Sequence, residues 1–117
     1  MIPKTQEKTV EGVKTSEFDI NKLAKAVAKH ETKDCTLWYG ASHNNCFWIK
    51  HANTAPCPWV PKMAMCKYDT QEESYEAFKI IWAKWYVWLP TYAKAKKWSW
   101  DDRARDWLNN VLYFYYQ

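Results

Sequence analysis

DINKLAKAVAKHET, residues 19–32, reads as one amphipathic helix. Ile20, Leu23, Ala24, Val27 and Ala28 recur at the spacing that lines apolar side chains along one helical face. Asp19 stands at the N-cap, where its carboxylate can accept N–H groups that the first turn leaves unbonded, and Phe18 before it is half of a hydrophobic staple. The next position of the stripe is 31, and it holds Glu31. Helix geometry aims that carboxylate at the interior faced by Leu23, Val27 and Ala28. Desolvation there favours the neutral acid, and the negative end of the helix dipole pushes the same way. A carboxylic acid kept protonated near neutrality is what a general acid needs to protonate a leaving oxygen. If the helix frayed at residue 30, Glu31 would instead be an exposed end residue.

Beyond this helix the pattern changes. Residues 32–68 hold Cys35, Cys46, Cys57 and Cys66 together with Pro56, Pro58 and Pro61, and show little periodicity, so a loop-rich lobe with a short strand or two is expected. An even number of cysteines in such a region reads as disulfide staples formed in an oxidising compartment. Three pairings are possible, and proximity favours Cys35–Cys46 and Cys57–Cys66. A zinc site assisted by His43 or His51 is the rival, but structural zinc ligands come as C-x2-4-C pairs and the separations here are 11, 11 and 9 residues. No metal is expected.

Helical patterning resumes at Thr70, which with Glu73 forms a capping box. A helix from there to about Val87 puts Tyr75, Phe78, Ile81, Trp82 and Trp85 on its core face. Pro90 ends it and Thr91 caps a short helix over 92–98. A last helix, from near Asp101, buries Ala104, Trp107, Leu108, Val111, Leu112 and Tyr115. The expected fold class is mainly α: a helical core with a small cysteine-rich loop or β lobe. Residues 1–18, polar and aperiodic, are expected to be a flexible leader to a domain over 19–117.

Composition bounds the function. A chain of 117 residues suits one domain, since compact domains take roughly 100–150 residues. With 48% apolar and 26% charged residues it is neither a disordered tail nor unusually polar. No uncharged run approaches the roughly 18 residues of a membrane span. The first residues lack the apolar core of a secretion signal, which implies another export route or a missing start of the gene. Seventeen Lys and Arg against 13 Asp and Glu leave a net charge of +4. That mild excess suits an anionic partner without selecting one. Lys22, Lys25, Lys29 and Lys33 read as a solvated helix face. Aromatic content of 18% could support base stacking, but no nucleic-acid-binding motif accompanies it and no nucleic acid is expected as partner.

Three strings in order carry a resemblance: AVAKHET (26–32), HNNCFWIK (43–50) and YDTQEESYEAF (68–78). Together they resemble the glucosaminidase family of peptidoglycan hydrolases, endo-β-N-acetylglucosaminidase-like enzymes of the lysozyme-like superfamily. Its members carry an A-x-x-E-[ST] helix end, an N-N-x-F-G-I-K turn and a Y-D-[ST]-x-x-E-S helix start. YAKAKKW (92–98) and ARDWLNNVLYFY (104–115) resemble its closing helices, so the likeness spans roughly residues 19–117. The resemblance implies that Glu31 is the catalytic acid. It places Asn44, Asn45, Phe47, Trp48, Ile49 and Lys50 in the turn beside the sugar site, and Tyr92 at a cleft tyrosine. Tyr68, Asp69, Glu73 and Ser74 fall at the start of the next helix, in a scaffolding role. Many members place a second carboxylate between the turn and that helix, but residues 51–67 here contain no Asp or Glu. A two-carboxylate mechanism therefore lacks its partner at the expected place. Water activated by another group, help from the substrate's N-acetyl group, and loss of activity are the remaining options, with Asp34 a nearby stand-in. His30 and His43 flank the motifs and read as packing or surface histidines.

Two counts are abnormal. Average usage predicts about 8 glycines; the chain has 2, and it has 9 tryptophans. Trp48 occupies the glycine slot of the N-N-x-F-G-I-K turn. Trp38, Trp59, Trp88 and Trp100 also fall at turn-like positions, where glycine's freedom at positive φ is wanted. Trp82, Trp85 and Trp107 fall on helix core stripes, and Trp98 fits either class. Some bacterial lineages decode UGA as glycine where other codes read tryptophan. On that reading the five turn positions are native glycines, and the glycine count rises from 2 to 7. The competing reading makes the indoles stacking platforms for sugar rings, at the cost of exposed apolar surface.

The sequence thus points to a small peptidoglycan hydrolase, an N-acetylglucosaminidase with Glu31 as general acid and no cofactor. It is expected to be monomeric, in the extracellular space or cell envelope. The alternative is a noncatalytic peptidoglycan- or glycan-binding domain on the same fold.

Overall fold

The computed structural model describes residues 18–52, 57–99 and 101–117. The expected leader, apart from Phe18, and Trp100 lie outside them. The apolar stripe of the opening helix becomes α1 (Ile20–Thr32), with Leu23, Ala24, Val27 and Ala28 fully buried. Asp19 caps it, its Oδ1 accepting from the N–H groups of Asn21 at 2.9 Å and Lys22 at 3.2 Å. Phe18 meets the rings of Trp88 at 5.7 Å and Tyr115 at 6.4 Å, while the Tyr115 hydroxyl accepts from the Asp19 N–H at 2.9 Å. Phe18 thus clasps the start of α1 to Trp88 and Tyr115.

A short helix that sequence periodicity misses, α2 (Trp38–Ser42), follows. A single turn carries too little repeat to read, and its reason is spatial. Gly40 is buried against the end of α1, where a Cβ would lie 2.8 Å from both Cys35 Cα and Thr32 Cβ. The cysteine-rich lobe is pinned by Cys35–Cys46 and Cys57–Cys66, the pairing that proximity favours. Each closes a short loop and constrains the unfolded chain, typically by about 2–4 kcal/mol. In place of strands, the described part of the lobe has one isolated antiparallel bridge, Lys50 to Met65, extended by bonds from Cys66 N–H to Ile49 O and from His51 N–H to Ala64 O. Prolines at 58 and 61 deny this backbone the donors a ladder needs.

α3 (Gln71–Trp85) starts as the capping box requires: Thr70 Oγ1 accepts from the Glu73 N–H at 3.2 Å, and Glu73 Oε1 accepts from the Asp69 N–H at 2.9 Å. It stops before the expected Val87 because Val87 and Trp88 take left-handed backbone, φ 59° and 60°. Trp85 corrects the expected core face. It is 42% exposed, with the ammonium groups of Lys84 and Lys97 over its ring. α4 (Tyr92–Trp98), capped by Thr91, matches its expected span, and a 3-10 turn at Asp101–Arg103 leads into α5 (Ala104–Tyr115). On α5, Ala104, Trp107, Val111 and Tyr115 are buried while Leu108 and Leu112 are half-buried.

α1 packs chiefly on α5, and α4 covers α5 in turn. Through the middle runs a ladder of rings: Phe47 on Phe78 at 4.6 Å, Phe78 on Trp82 at 5.7 Å and Trp82 on Trp107 at 6.3 Å. Such pairs add about 0.5–1.5 kcal/mol each beyond the area they bury.

Gly40→Ala tests the α1–α2 junction. Its Cβ meets backbone at 2.8 Å, so urea denaturation should show a loss of about 1–3 kcal/mol.

Candidate functional site

The end of α1 is held too firmly to fray. Thr32 is fully buried; its hydroxyl bonds to the carbonyls of Ala28 at 3.2 Å and Cys46 at 3.0 Å, and accepts from the Cys35 N–H at 3.0 Å. The N–H groups of both Lys33 and Asp34 return to Ala28 O. Lys33, Asp34 and Cys35 then turn left-handed in succession, φ 50°, 62° and 68°. The preceding residue, Glu31, is thereby fixed in helical geometry with its carboxylate inward.

Two indoles receive that carboxylate. Trp98 Nε1 on α4 donates to Glu31 Oε2 at 2.9 Å, and Trp107 Nε1 on α5 donates to the same oxygen at 3.0 Å. Burial raises the Glu31 pKa above the usual carboxylate value. The two indole bonds and the charges of His30 and Arg103 oppose that shift without cancelling it. The outcome is a carboxyl group with a raised pKa whose orientation is set by two rings of the core ladder. His30 contributes packing as well, its ring edge-on to Trp107 at 6.4 Å.

The turn beside Glu31 divides into scaffold and surface. Asn44 Nδ2 donates to the carbonyls of Tyr68 and Asp69, both at 3.0 Å, tying the turn to the start of α3. Asn45 is fully buried and uses its whole amide. Nδ2 donates to Ile49 O at 2.8 Å and Cys66 O at 3.0 Å, and Oδ1 accepts from the N–H groups of Phe47 and Ile49. Phe47 is 1% exposed inside the ring ladder. Asn45 and Phe47, expected to touch substrate, are therefore structural, with no surface left for a ligand. Lys50 is exposed. Tyr92 is 41% exposed, under Lys96 and Arg105.

Trp48 lies over the site. Its Nε1 donates to the Glu31 backbone carbonyl at 2.9 Å, and its ring lies 5.3 Å from Tyr39, edge-on, and 6.2 Å from Trp38. Asp34, the stand-in second acid, lines a different groove with Lys25, Gln71, Glu72, Tyr75 and Glu76, one to which Glu31 does not contribute. All four cysteines are consumed in disulfides, so the rival zinc reading loses its thiolates.

Sequence reasoning found Glu31 but missed its partners. Trp107 reads as a core residue and Trp98 as ambiguous, since periodicity reveals that a ring is inside and not where its N–H points. The signal available was two indoles on later helices facing a stripe that ends in a carboxylate. Comparison of the chain with family models, curated proteins and solved structures returns no match.

The raised pKa has a thermodynamic signature. Between the unfolded pKa of Glu31 and its higher folded value, the native state holds the extra proton, so stability falls as pH rises through that window. Glu31→Gln keeps an acceptor for both indoles and removes the titration. The variant should be more stable than the parent near neutrality, and this difference should shrink as pH drops below the usual carboxylate range, in thermal melts run across pH.

Proposed function

We propose that this chain is a lysozyme-like glycoside hydrolase that cleaves the glycan strand of bacterial peptidoglycan on the N-acetylglucosamine side, with Glu31 as general acid. The observation that carries the reading is the inward Glu31 carboxylate, biased toward its acid form by burial and aimed by Trp98 and Trp107. The three family-like motifs support the substrate class. Two disulfides suit an extracellular or envelope location. Among the described residues no helix is long and apolar enough to cross a membrane.

In this mechanism protonated Glu31 gives its proton to the glycosidic oxygen, and the bond from that oxygen to the anomeric carbon breaks with its electron pair on the leaving oxygen. Because residues 51–67 offer no carboxylate, the nucleophile is the carbonyl oxygen of the substrate's own 2-acetamido group, which closes onto the anomeric carbon from the opposite face. Water then opens the resulting oxazolinium ring and returns a proton to Glu31. The product keeps its anomeric configuration. Neither metal nor organic cofactor takes part.

A noncatalytic glycan-binding domain is the second reading, favoured by the same missing carboxylate. The two separate on one substitution. The test background carries Trp38→Gly and Trp48→Gly, which remove the indoles over Tyr39 and the Glu31 carbonyl. Purified peptidoglycan should then yield soluble muropeptides with N-acetylglucosamine at the new reducing ends. Adding Glu31→Gln should cut that release by about 100-fold or more, the usual worth of a general acid. Release should also decline as pH rises through the elevated Glu31 pKa, because only the acid form can donate. A folded protein that binds glycan equally with Glu31 or Gln at this position, and releases nothing, would establish the binder instead.

A further inference from the structure

Three tryptophans have backbone that their side chains make costly. Trp38, Trp48 and Trp88 lie at φ 51°, 59° and 60°. For L-residues this left-handed region is strained by the Cβ that glycine lacks. Lys33, Asp34, Cys35, Asn44, Met63 and Val87 also occupy it, so what sets the three tryptophans apart is this backbone together with a codon one reading away from glycine. They are three of the five tryptophans that the sequence places at turn-like positions, with Trp38 here the first residue of α2. Trp82, Trp85, Trp98 and Trp107, which lie in helices, have no such φ. Trp59 does not share the geometry either, and Trp100 lies outside the described residues.

The strained indoles also expose apolar surface: Trp38 is 61% exposed, Trp48 36% and Trp88 52%. The Trp38 and Trp48 rings lie 6.2 Å apart and Trp48 is edge-on to Tyr39 at 5.3 Å, while Trp88 meets the Phe18 ring at 5.7 Å. Trp48 bonds the Glu31 backbone carbonyl, so its indole lies against the end of α1 at the residue that carries the acid. Remove both rings and the half-buried Tyr39 ring is left as aromatic surface on the side of the Glu31 backbone carbonyl. Its other ring contact, edge-on to His43 at 4.9 Å, holds it in place.

We propose that positions 38, 48 and 88 are glycine in the protein as its own cell makes it, from UGA codons read as glycine, and that Tyr39, so uncovered, is a stacking platform for a sugar ring of the glycan beside Glu31. The platform rests on the glycan-hydrolase reading; the glycines do not.

The gene itself tests the first part. UGA at 38, 48 and 88 with UGG at 82 and 107 is the expected pattern. UGG at any of the three, or UGA at 82 and 107 as well, overturns it. Mass spectrometry of peptides from the source cell should then show glycine at these positions, and tryptophan there overturns it equally.

The platform is tested with a β-1,4-linked N-acetylglucosamine tetramer and titration calorimetry, in a Glu31→Gln background that prevents turnover. Trp38→Gly with Trp48→Gly should tighten binding, Tyr39→Ala should then weaken it about tenfold, and Tyr39→Phe should restore most of the affinity by returning a ring. Melting curves for each variant confirm that the protein compared is folded. Affinity indifferent to residue 39 overturns the platform, and muropeptide release that still depends on Glu31 would leave the hydrolase reading intact. Tyr39-dependent binding without any Glu31-dependent release would uphold the platform and remove the catalysis.

Discussion

A carboxylate taken out of water has to find donors, and Glu31 finds two on one oxygen, the indole N–H groups of Trp98 and Trp107. That pair of bonds ties α1 to α4 and α5, across 67 and 76 residues of sequence. The donors are positioned in their turn by the ring ladder: Trp98 lies edge-on to Phe78 at 5.3 Å and tilted against Trp82 at 6.1 Å, while Trp107 stacks on Trp82. Core packing therefore fixes the aim of the acid. Hydrogen bonds to a charged group are worth about 1.5–3 kcal/mol, yet burial still dominates and the pKa ends up raised. Such a group lowers the stability of the fold as pH rises through its raised pKa.

The second constraint is the hairpin-like reversal after α1. Three consecutive left-handed residues, Lys33 to Cys35, are an unusual run outside glycine. They are held by the Thr32 hydroxyl, by the returns to Ala28 and by the Cys35–Cys46 disulfide. The reversal brings residues 44–50 back alongside Glu31, and Asn44 then fastens that turn to the mouth of α3. Gly40 admits the close approach that makes this possible. One lobe thus serves as a strap, converting a helix end that would fray in isolation into a rigid mount.

What could be read from sequence follows the range of each interaction. α1, α3 and α4 were legible because apolar period and side-chain caps are local, and Asp19, Thr70 and Thr91 all cap as their types predict. α2 was not, being one turn set by contact with α1. Trp85 was misplaced because a stripe cannot say where the neighbouring element stops covering it. Glu31 was legible as a polar residue on an apolar face, whereas its two donors, 67 and 76 residues away, were not. Asn45 and Phe47 were assigned to the sugar site by likeness of motif. Burial shows instead that those letters encode the interior of the turn.

Conflicts between residue and backbone usually mark either function or error, and the two can be separated by asking what the strain accomplishes. At Lys33 to Cys35 it reverses the chain, with a disulfide and a buried hydroxyl to hold it. At Trp38, Trp48 and Trp88 a left-handed turn is equally needed, because α2 must begin, the 44–50 turn must close and α3 must end. The need lies in the backbone at all three places, while the indoles add exposed surface. The contacts these indoles make, Trp48 on Tyr39 and the Glu31 carbonyl and Trp88 on Phe18, are not what requires the turns. Glycine makes the same three turns without a Cβ to strain them.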